Sequence, residues 1–532
     1  MTTGTSHPRQ PLNAAGVLAQ ALAERPSAEA VVARSGRLTY RELEDFASRN
    51  VRALIAAGVS PGDRIGVSLP NDLPLVGLFH GAMRLGAIWV GINRNLAPPE
   101  KAYLLRNSEA SFFIGDADMV EHVRGVKDQH DVGRYLVADS ATDSEWSDLL
   151  GADGAATSEP PPCPDPLAPA AIAYTSGTTG FPKGAVHSQH NLMVPGMILI
   201  EARGYGPSLR KGDCFPLTIL NLQVLSTLLV PQCGGTAIVM DRVDPIGIAE
   251  WIATERATTW NGAPAMLYGL ATNEEVRPES LASLDDVWSG GSPCPKGTAE
   301  RFRAKFGHRV HSSYGSTEVP TVVSIAPRAV DVDIASTGPP LPHLKVHIRD
   351  DQGQPRPTGS VGEICVGPTD DASLASLYRP MLGYWNNPKA TSATIKDGLL
   401  HTGDVGFLDD NGFLFVQDRR QSLILRGGAN VYPAEVERII NDFPGIAGSC
   451  VLGVPDERLG ARVIAVVELD EGQEGPQADH LDVDGLRTHC GANLARYKVP
   501  ERFFVRPLPR NAMGKVKAVE VQKSLGPVDL SS

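Results

Sequence analysis

The chain has 532 residues, with 61 Asp and Glu against 49 Lys and Arg for a formal net charge of −12, and 42% hydrophobic and 21% charged positions. That length exceeds one compact domain. An acidic surplus with no basic block excludes a nucleic-acid scaffold, so no nucleic-acid partner is expected. The seven cysteines (Cys163, Cys214, Cys233, Cys294, Cys365, Cys450 and Cys490) are odd in number and scattered without a CxxC, which reads as reduced thiols and not as a disulfide frame or a zinc site. The opening segment MTTGTSHPRQPLNAAG lacks a signal-peptide core and no run approaches a membrane span. A cytoplasmic protein without integral membrane association is expected.

Early in the chain, LTYRELEDFASRNVRALIAAG offers Thr39 and Glu42 as a capping box. Leu43, Phe46, Ala47, Val51, Leu54 and Ile55 then form one apolar stripe, and Gly58 stops the helix. RIGVSLP follows as a strand, then a helix to about Leu85, then the strand AIWVGIN. This alternation predicts an α/β fold with parallel strands: a large multi-layer α/β N-terminal domain over 1–418. Residues 152–168 are a proline-rich connector. Beyond about residue 420 the pattern changes to a helix at 433–442, strands near 450–454 and 462–469, a helix at 484–494 and a strand at 502–506. A small, mobile α+β C-terminal domain over 419–532 is expected, of a size that folds alone.

Between a short apolar run and a helix-like stretch lies YTSGTTGFPKG, residues 174–184. It departs from the Walker pattern GxxxxGK[ST], because its lysine is followed by glycine. Its parts are still those of a phosphate cradle. Gly177, Gly180 and Gly184 let backbone N–H groups face an anion. Ser176, Thr178 and Thr179 supply hydroxyls, and Lys183 a mobile charge. By itself such a loop is equally a plain glycine-rich turn.

Further stretches accompany it in fixed order: SSYGSTE at 312–318, GYWNNPKAT at 383–391, LHTGDVG at 400–406, LRGGANVYPAEVE at 425–437 and PRNAMGKVK at 509–517. Together these resemble the acyl-adenylate-forming superfamily of acyl-CoA synthetases, nonribosomal adenylation domains and luciferase, and most resemble the acyl-CoA synthetases. The resemblance runs over roughly residues 15–520. It implies a ligase that uses ATP, Mg2+ and coenzyme A to activate a small-molecule carboxylic acid as acyl-AMP. A carrier-protein phosphopantetheine is the alternative acceptor, and a homodimer is compatible with the resemblance.

The site residues follow from the same resemblance. Tyr314 is suited to stack on adenine, Thr317 to reach the α-phosphate, and Glu318 matches the family's magnesium-binding glutamate. Ser313 and Gly315 flank them. Gly290, Gly291 and Ser292, in SGGSPCP, resemble the strand end that closes over adenine and the acyl carbonyl. Asp404 has two acceptor oxygens for the ribose hydroxyls. Arg419 matches the junction arginine that also reaches the ribose, with Val416 beside it on the nucleotide side. Gly427 and Gly428 make room for pantetheine. Lys515 is the catalytic lysine of adenylation, where a cation relieves the repulsion between carboxylate and α-phosphate. Thr175, at the head of the loop, joins Lys515 and Glu318 in the catalytic set. His187 and His190, spaced i, i+3, are expected at surface positions where a helix begins.

Two departures from the family pattern bear on the acid and a third on the domain hinge. Thr218 and Ile219 stand where many relatives carry an aromatic–histidine pair, and no aspartate is present there to hold a substrate ammonium. The acid pocket is expected from Thr218, Ile219, Trp260, Ala263 and Gly290, which points to a bulky hydrophobic monocarboxylic acid. Trp260 or Trp288 capping the cavity for short acids is the runner-up. The hinge position is Gln421 in place of Asp or Lys. Besides the CoA ligase, the readings are an enzyme that stops at the adenylate or loads a carrier thiol, an ATP-dependent switch, and a non-catalytic binding module.

Overall fold

The computed structural model describes residues 11–138, 144–151, 163–175, 181–291, 294–419, 424–469, 481–509 and 516–526. The chain divides into two compact units. The first comprises Met1–Arg94, Ala102–Tyr174 and Gly184–Asp418; the second comprises Asn95–Lys101, Thr175–Lys183 and Arg419–Ser532. None of the described helices is long and apolar enough to cross a membrane.

The first helix of the α/β pattern is Tyr40–Ala56, and it begins as its capping chemistry dictates. The Glu42 carboxylate accepts from the Thr39 N–H at 2.8 Å, and Thr39 Oγ1 accepts from the Glu42 N–H at 3.3 Å. Leu43, Ala47, Val51 and Leu54 are buried along one face, joined by Asn50. Ile55 departs from the expected stripe: it lies a further 100° round the helix from Leu54 and is 41% exposed.

Two β-sheets organise the first unit. One has eight strands, ordered Ser324–Ile325, Val310–Tyr314, Asp286–Ser289, Thr259–Gly262, Arg210–Asp213, Thr236–Val239, Glu29–Ala33 and Gly36–Thr39. Its interior pairings are parallel, and only its two edge pairings are antiparallel. The other has seven strands, ordered Gly383–Tyr384, Lys183–Ser188, Pro169–Thr175, Ile88–Gly91, Arg64–Ser68, Phe112–Gly115 and Arg134–Val137. Crossover helices such as Leu73–Leu85 bury their apolar sides against these sheets in one extended core.

The structure adds a third layer that hydrophobic periodicity did not signal. Leu344–Arg349, Gly362–Pro368, Leu399–Leu408 and Ile395–Lys396 form an antiparallel sheet, with Leu414–Arg419 paired to Leu399–Leu408. Leu344–Arg349 alternates buried and more exposed positions, and the sheet has a separate core of Val346, Ile348, Ile364, Val366 and Leu400.

The glycine-rich segment 175–183 leads into another strand, Lys183–Ser188, and not directly into a helix. The helix Gln189–Arg203 starts only after Ser188, whose Oγ accepts from the Asn191 N–H at 3.2 Å. His187 and His190 are therefore interior residues, each 2% exposed, and not the surface residues expected. The strand carries His187 inward. His190 is fixed by its ring, Nδ1 accepting from the Leu12 N–H and Nε2 bonded to the Leu377 carbonyl, both at 3.0 Å.

In the second unit, Ile446–Asp456 and Gly460–Leu469 form a long antiparallel pair. The other edge of Gly460–Leu469 pairs with Ile424–Arg426, which forms a hairpin with Ala429–Val431, and further along with Arg502–Val505 in parallel. The helices Pro433–Asn441 and Val483–Asn493 cover one face through Val436, Ile440, Leu486 and Cys490.

Candidate active site

Within the first unit, two partly buried hydrogen bonds link motifs that lie far apart in the chain. Tyr314, at the end of the strand Val310–Tyr314, donates its hydroxyl to Asp404 Oδ2 at 2.6 Å. Asp404 stands on the strand Leu399–Leu408 and is only 2% exposed. A buried carboxylate needs such donors, because the interior does not solvate it. The Asp404 N–H also donates to Thr402 Oγ1 at 3.1 Å, and Thr402 Oγ1 donates to the Ile364 carbonyl at 2.7 Å. Asp404 is thus anchored through both its side chain and its backbone.

The second bond concerns Glu318. Tyr384 donates its hydroxyl to Glu318 Oε1 at 2.8 Å, and the Met381 N–H donates to the Glu318 carbonyl at 3.0 Å. Tyr384 is positioned by the short strand Gly383–Tyr384, which pairs antiparallel with Lys183–Ser188. Thr391 Oγ1 accepts from the Tyr384 N–H at 2.8 Å and closes the GYWNNPKAT turn. His187 bonds to the Thr317 backbone. Complete burial pulls its pKa down to about 4, against the Glu318 charge and the Thr317 bond, which raise it. His187 is neutral near pH 7 and acts there as a hydrogen-bonding spacer.

Between these anchors the backbone turns in close contact with itself. A Cβ on Gly315 would lie 1.7 Å from the Thr321 carbonyl oxygen, so only glycine fits that turn. Thr321 itself has φ of +70°, a conformation that disfavours β-branched residues, and it presses its carbonyl onto Gly315. Ser313 Oγ donates to the Ser289 carbonyl at 3.0 Å, tying this turn to the neighbouring strand end where Gly290 and Gly291 sit. Gly290 is closely approached as well: a Cβ there would fall 2.6 Å from Ser313 Oγ.

The structure therefore brings Ser313, Tyr314, Gly315, Thr317, Glu318 and Asp404 into one connected neighbourhood, with Gly290 and Gly291 at its edge. Val416 lies half-buried on Leu414–Arg419, packed on the core of the antiparallel sheet. This neighbourhood suits a magnesium nucleotide: a buried carboxylate and a tyrosine on one side, a second carboxylate oriented by Tyr384, and glycine where backbone must come close.

Among the residues expected around the acid, Thr218 is buried with its hydroxyl unpartnered in the structure. Its carbonyl lies where a Cβ on Gly91 would stand, which fixes this segment against the end of the strand Ile88–Gly91. Ile219 is 40% exposed and Ala263 is buried. Trp260 is fully buried, packed among Cys214, Met240 and Leu267 in the core. Trp288 is likewise interior, its ring 5.6 Å from Lys211 Nζ.

In the second unit, Thr175 ends one strand and Lys183 begins the next. Gly427 and Gly428 form the two-residue turn between Ile424–Arg426 and Ala429–Val431, with φ of +58° and +85°. A two-residue hairpin with both φ positive is the type I′ geometry, which explains the glycine pair. Arg419 closes the strand Leu414–Arg419. Ser176, Gly177, Thr178, Thr179, Gly180, Ser292, Gln421 and Lys515 lie outside the described residues.

Two members of the neighbourhood were not assigned from sequence. Tyr384 sits inside a quoted motif, GYWNNPKAT, but nothing local shows that its hydroxyl reaches a carboxylate 66 positions away. His187 carries no sequence signal of burial beyond the apolar residues Ala185 and Val186 before it.

Comparison with known proteins identifies the family. The AMP-binding enzyme family matches residues 18–378, and the AMP-binding enzyme C-terminal domain matches residues 435–515. The chain is 34% identical to a feruloyl-CoA synthase from an Amycolatopsis species, over 94% of this chain and 96% of the relative. It is 31% identical to a long-chain-fatty-acid–CoA ligase of Mycobacterium tuberculosis, over 90% of this chain and 92% of that one. Among solved structures, an amide bond synthetase from Marinactinospora thermotolerans superposes with a TM-score of 0.81 at 27% identity, covering 96% of this chain and 99% of the other.

Proposed function

For a chain that belongs to the AMP-binding enzyme family and is an AMP-forming acid–thiol ligase using ATP, Mg2+ and coenzyme A, we propose that the substrate is a bulky, largely hydrophobic monocarboxylic acid and the final acceptor is the CoA thiol. A carboxylate oxygen attacks the α-phosphorus of ATP, an acyl-AMP anhydride forms, and pyrophosphate leaves. The CoA sulfur then attacks the acyl carbonyl, and AMP leaves as the thioester forms. Magnesium, when bound, neutralises phosphate charge.

The chain's own groups do the positioning. Asp404, held by Tyr314, accepts from the ribose hydroxyls. Glu318, aligned by Tyr384, is the magnesium ligand. The glycines at 290 and 315 let the strand end and the turn pack tightly beside the nucleotide. Lys183 and the hydroxyls of the 175–180 loop serve the phosphates. Lys515 contributes positive charge where carboxylate and α-phosphate meet, and Arg419 supports the ribose. Gly427 and Gly428 admit pantetheine.

The observation that carries the nucleotide half of this reading is the Tyr314–Asp404 hydrogen bond, because it fixes a buried carboxylate against the tyrosine of SSYGSTE. The acid class rests on Thr218, Ile219, Ala263 and Gly290, which include no charged group to pair with an ammonium or a second carboxylate. The two interior tryptophans weigh against the short-acid alternative, since both rings are consumed by core packing. A feruloyl and a long-chain acyl relative are consistent with a large apolar acid.

The test is ATP–pyrophosphate exchange, then CoA thioester formation, over acetate, octanoate, benzoate, a polycyclic acid and phenylalanine. The value of kcat/KM is expected to rise from acetate toward larger acids, since each buried methylene adds about 0.8 kcal/mol. Preference for acetate or phenylalanine overturns the acid assignment, and exchange without CoA consumption overturns the acceptor.

A further inference from the structure

The antiparallel sheet that carries Asp404 also assembles a thiol, an imidazole and a carboxylate that the ligase chemistry does not use. Cys365, on the strand Gly362–Pro368, stands directly opposite His401 on Leu399–Leu408. Opposed residues share a face of the sheet, and so does the residue two positions away, Glu363. On its other side Cys365 is opposed by His347, a further nitrogen donor in the same row.

The functional atoms converge. Glu363 Oε2 lies 3.1 Å from His401 Nδ1, and Cys365 Sγ lies 3.4 Å from that same nitrogen. All three donor atoms fall within 4.8 Å of one another. Cys365 is buried, while the side chains of His401 and Glu363 keep 20% and 13% of their exposure, so the cluster is reachable from solvent.

A cation placed among the three donor atoms would meet one oxygen, one sulfur and one nitrogen. Zinc–ligand bonds of about 2.0–2.3 Å at the tetrahedral angle set neighbouring ligand atoms about 3.3–3.6 Å apart, close to the 3.1 and 3.4 Å that separate His401 Nδ1 from Glu363 Oε2 and Cys365 Sγ. A sulfur, a nitrogen and an oxygen together select zinc-class ions over the all-oxygen magnesium.

We propose that Glu363, Cys365 and His401 form a binding site for a zinc-class divalent cation, distinct from the magnesium nucleotide site. Binding deprotonates the Cys365 thiol, the sulfur lone pair forms the metal bond, and the proton passes to solvent. The ion clamps the strands Gly362–Pro368 and Leu399–Leu408 three residues from Asp404.

The experiment uses the full chain, stripped with chelator, in the absence of ATP. It is exchanged with equimolar Zn2+ and passed through gel filtration, or titrated with Co2+. The expected results are one equivalent of retained zinc, a thiolate-to-cobalt charge-transfer band, and a zinc-dependent rise in Tm. Cys365→Ser is expected to abolish the band. His401→Gln and the less buried Glu363→Gln are expected to weaken zinc binding by more than about 100-fold, the upper end of what outer-shell changes cost. Because Cys365→Ser alters a buried position, its circular dichroism is compared with wild type, and the Glu363 and His401 variants decide if it misfolds. Retained zinc well below one equivalent, absence of the band, or equal zinc affinity in wild type and both of these variants overturns the proposal.

Discussion

Side-chain hydrogen bonds tie Tyr384 to Glu318 and Tyr314 to Asp404. Tyr384→Phe leaves the ring packed and removes the hydroxyl that donates to Glu318. The carboxylate is then less well oriented. A neutral-to-charged bond of this kind is worth about 1.5–3 kcal/mol. We expect the magnesium requirement of ATP–pyrophosphate exchange to rise about tenfold with little change in Tm; an unchanged magnesium dependence would separate Tyr384 from metal binding. Asp404→Ala is expected instead to raise the KM for ATP at every magnesium concentration, since its proposed partner is ribose. Lys515→Ala is expected to cut adenylation at least ~100-fold, on the scale of a lost transition-state contact, while CoA transfer from preformed acyl-AMP persists. Equal loss in both half-reactions would remove Lys515 from its proposed role.

At the scale of an element, the turn after Val310–Tyr314 is a small assembly of constraints. Gly315 and Thr321 meet backbone to backbone, and the Val323 N–H donates to the Tyr314 carbonyl at 2.8 Å. A methyl at position 315 cannot be absorbed by a rotamer change, because the obstacle is a carbonyl oxygen. Gly315→Ala is therefore expected to lower stability by about 1–3 kcal/mol and to weaken ATP binding together with it. A denaturation midpoint and an ATP titration measured on the same preparation check this, and loss of neither would show that the turn can relax. The motif SSYGSTE displayed these residues in the sequence. The reason for the glycine was hidden, since Thr321 lies outside the motif and its positive φ is a property of the folded turn.

Across the whole molecule, four buried histidines make stability depend on pH. Burial lowers the pKa of His80 and His343 to about 3, and of His187 and His311 to about 4. The unfolded chain takes up protons near the ordinary value of about 6.5, while the folded chain does not. Between these limits the unfolded state holds more protons, so stability rises with pH, is complete above the unfolded value and falls as the solution is acidified toward pH 4. Each histidine contributes a slope of up to about 1.4 kcal/mol per pH unit. His343, stacked edge-on to Tyr378 at 6.3 Å and remote in role from the nucleotide residues, is the suitable probe. His343→Phe is expected to flatten the fall of Tm between pH 6.5 and 4.5 while leaving Tm near pH 7.5 little changed. An unaltered slope would contradict the burial argument.

Local rules written in adjacent residues were legible without a structure. The Thr39–Glu42 cap, the strand–helix alternation, and the later helices Pro433–Asn441 and Val483–Asn493 follow from side chains that act on their own backbone or share one face at a fixed period. The order of the motifs likewise marked Tyr314, Glu318 and Asp404. The tertiary structure alone decided which of these touch. Tyr384 meets Glu318, and Tyr314 meets Asp404 from 90 positions away, because strands distant in sequence are laid side by side. The same reason explains a side-chain cluster that no spacing in the sequence signals. Glu363, Cys365 and His401 have no metal-ligand spacing along the chain, since their proximity comes from antiparallel register across two strands, and register is fixed only when a sheet closes over its core.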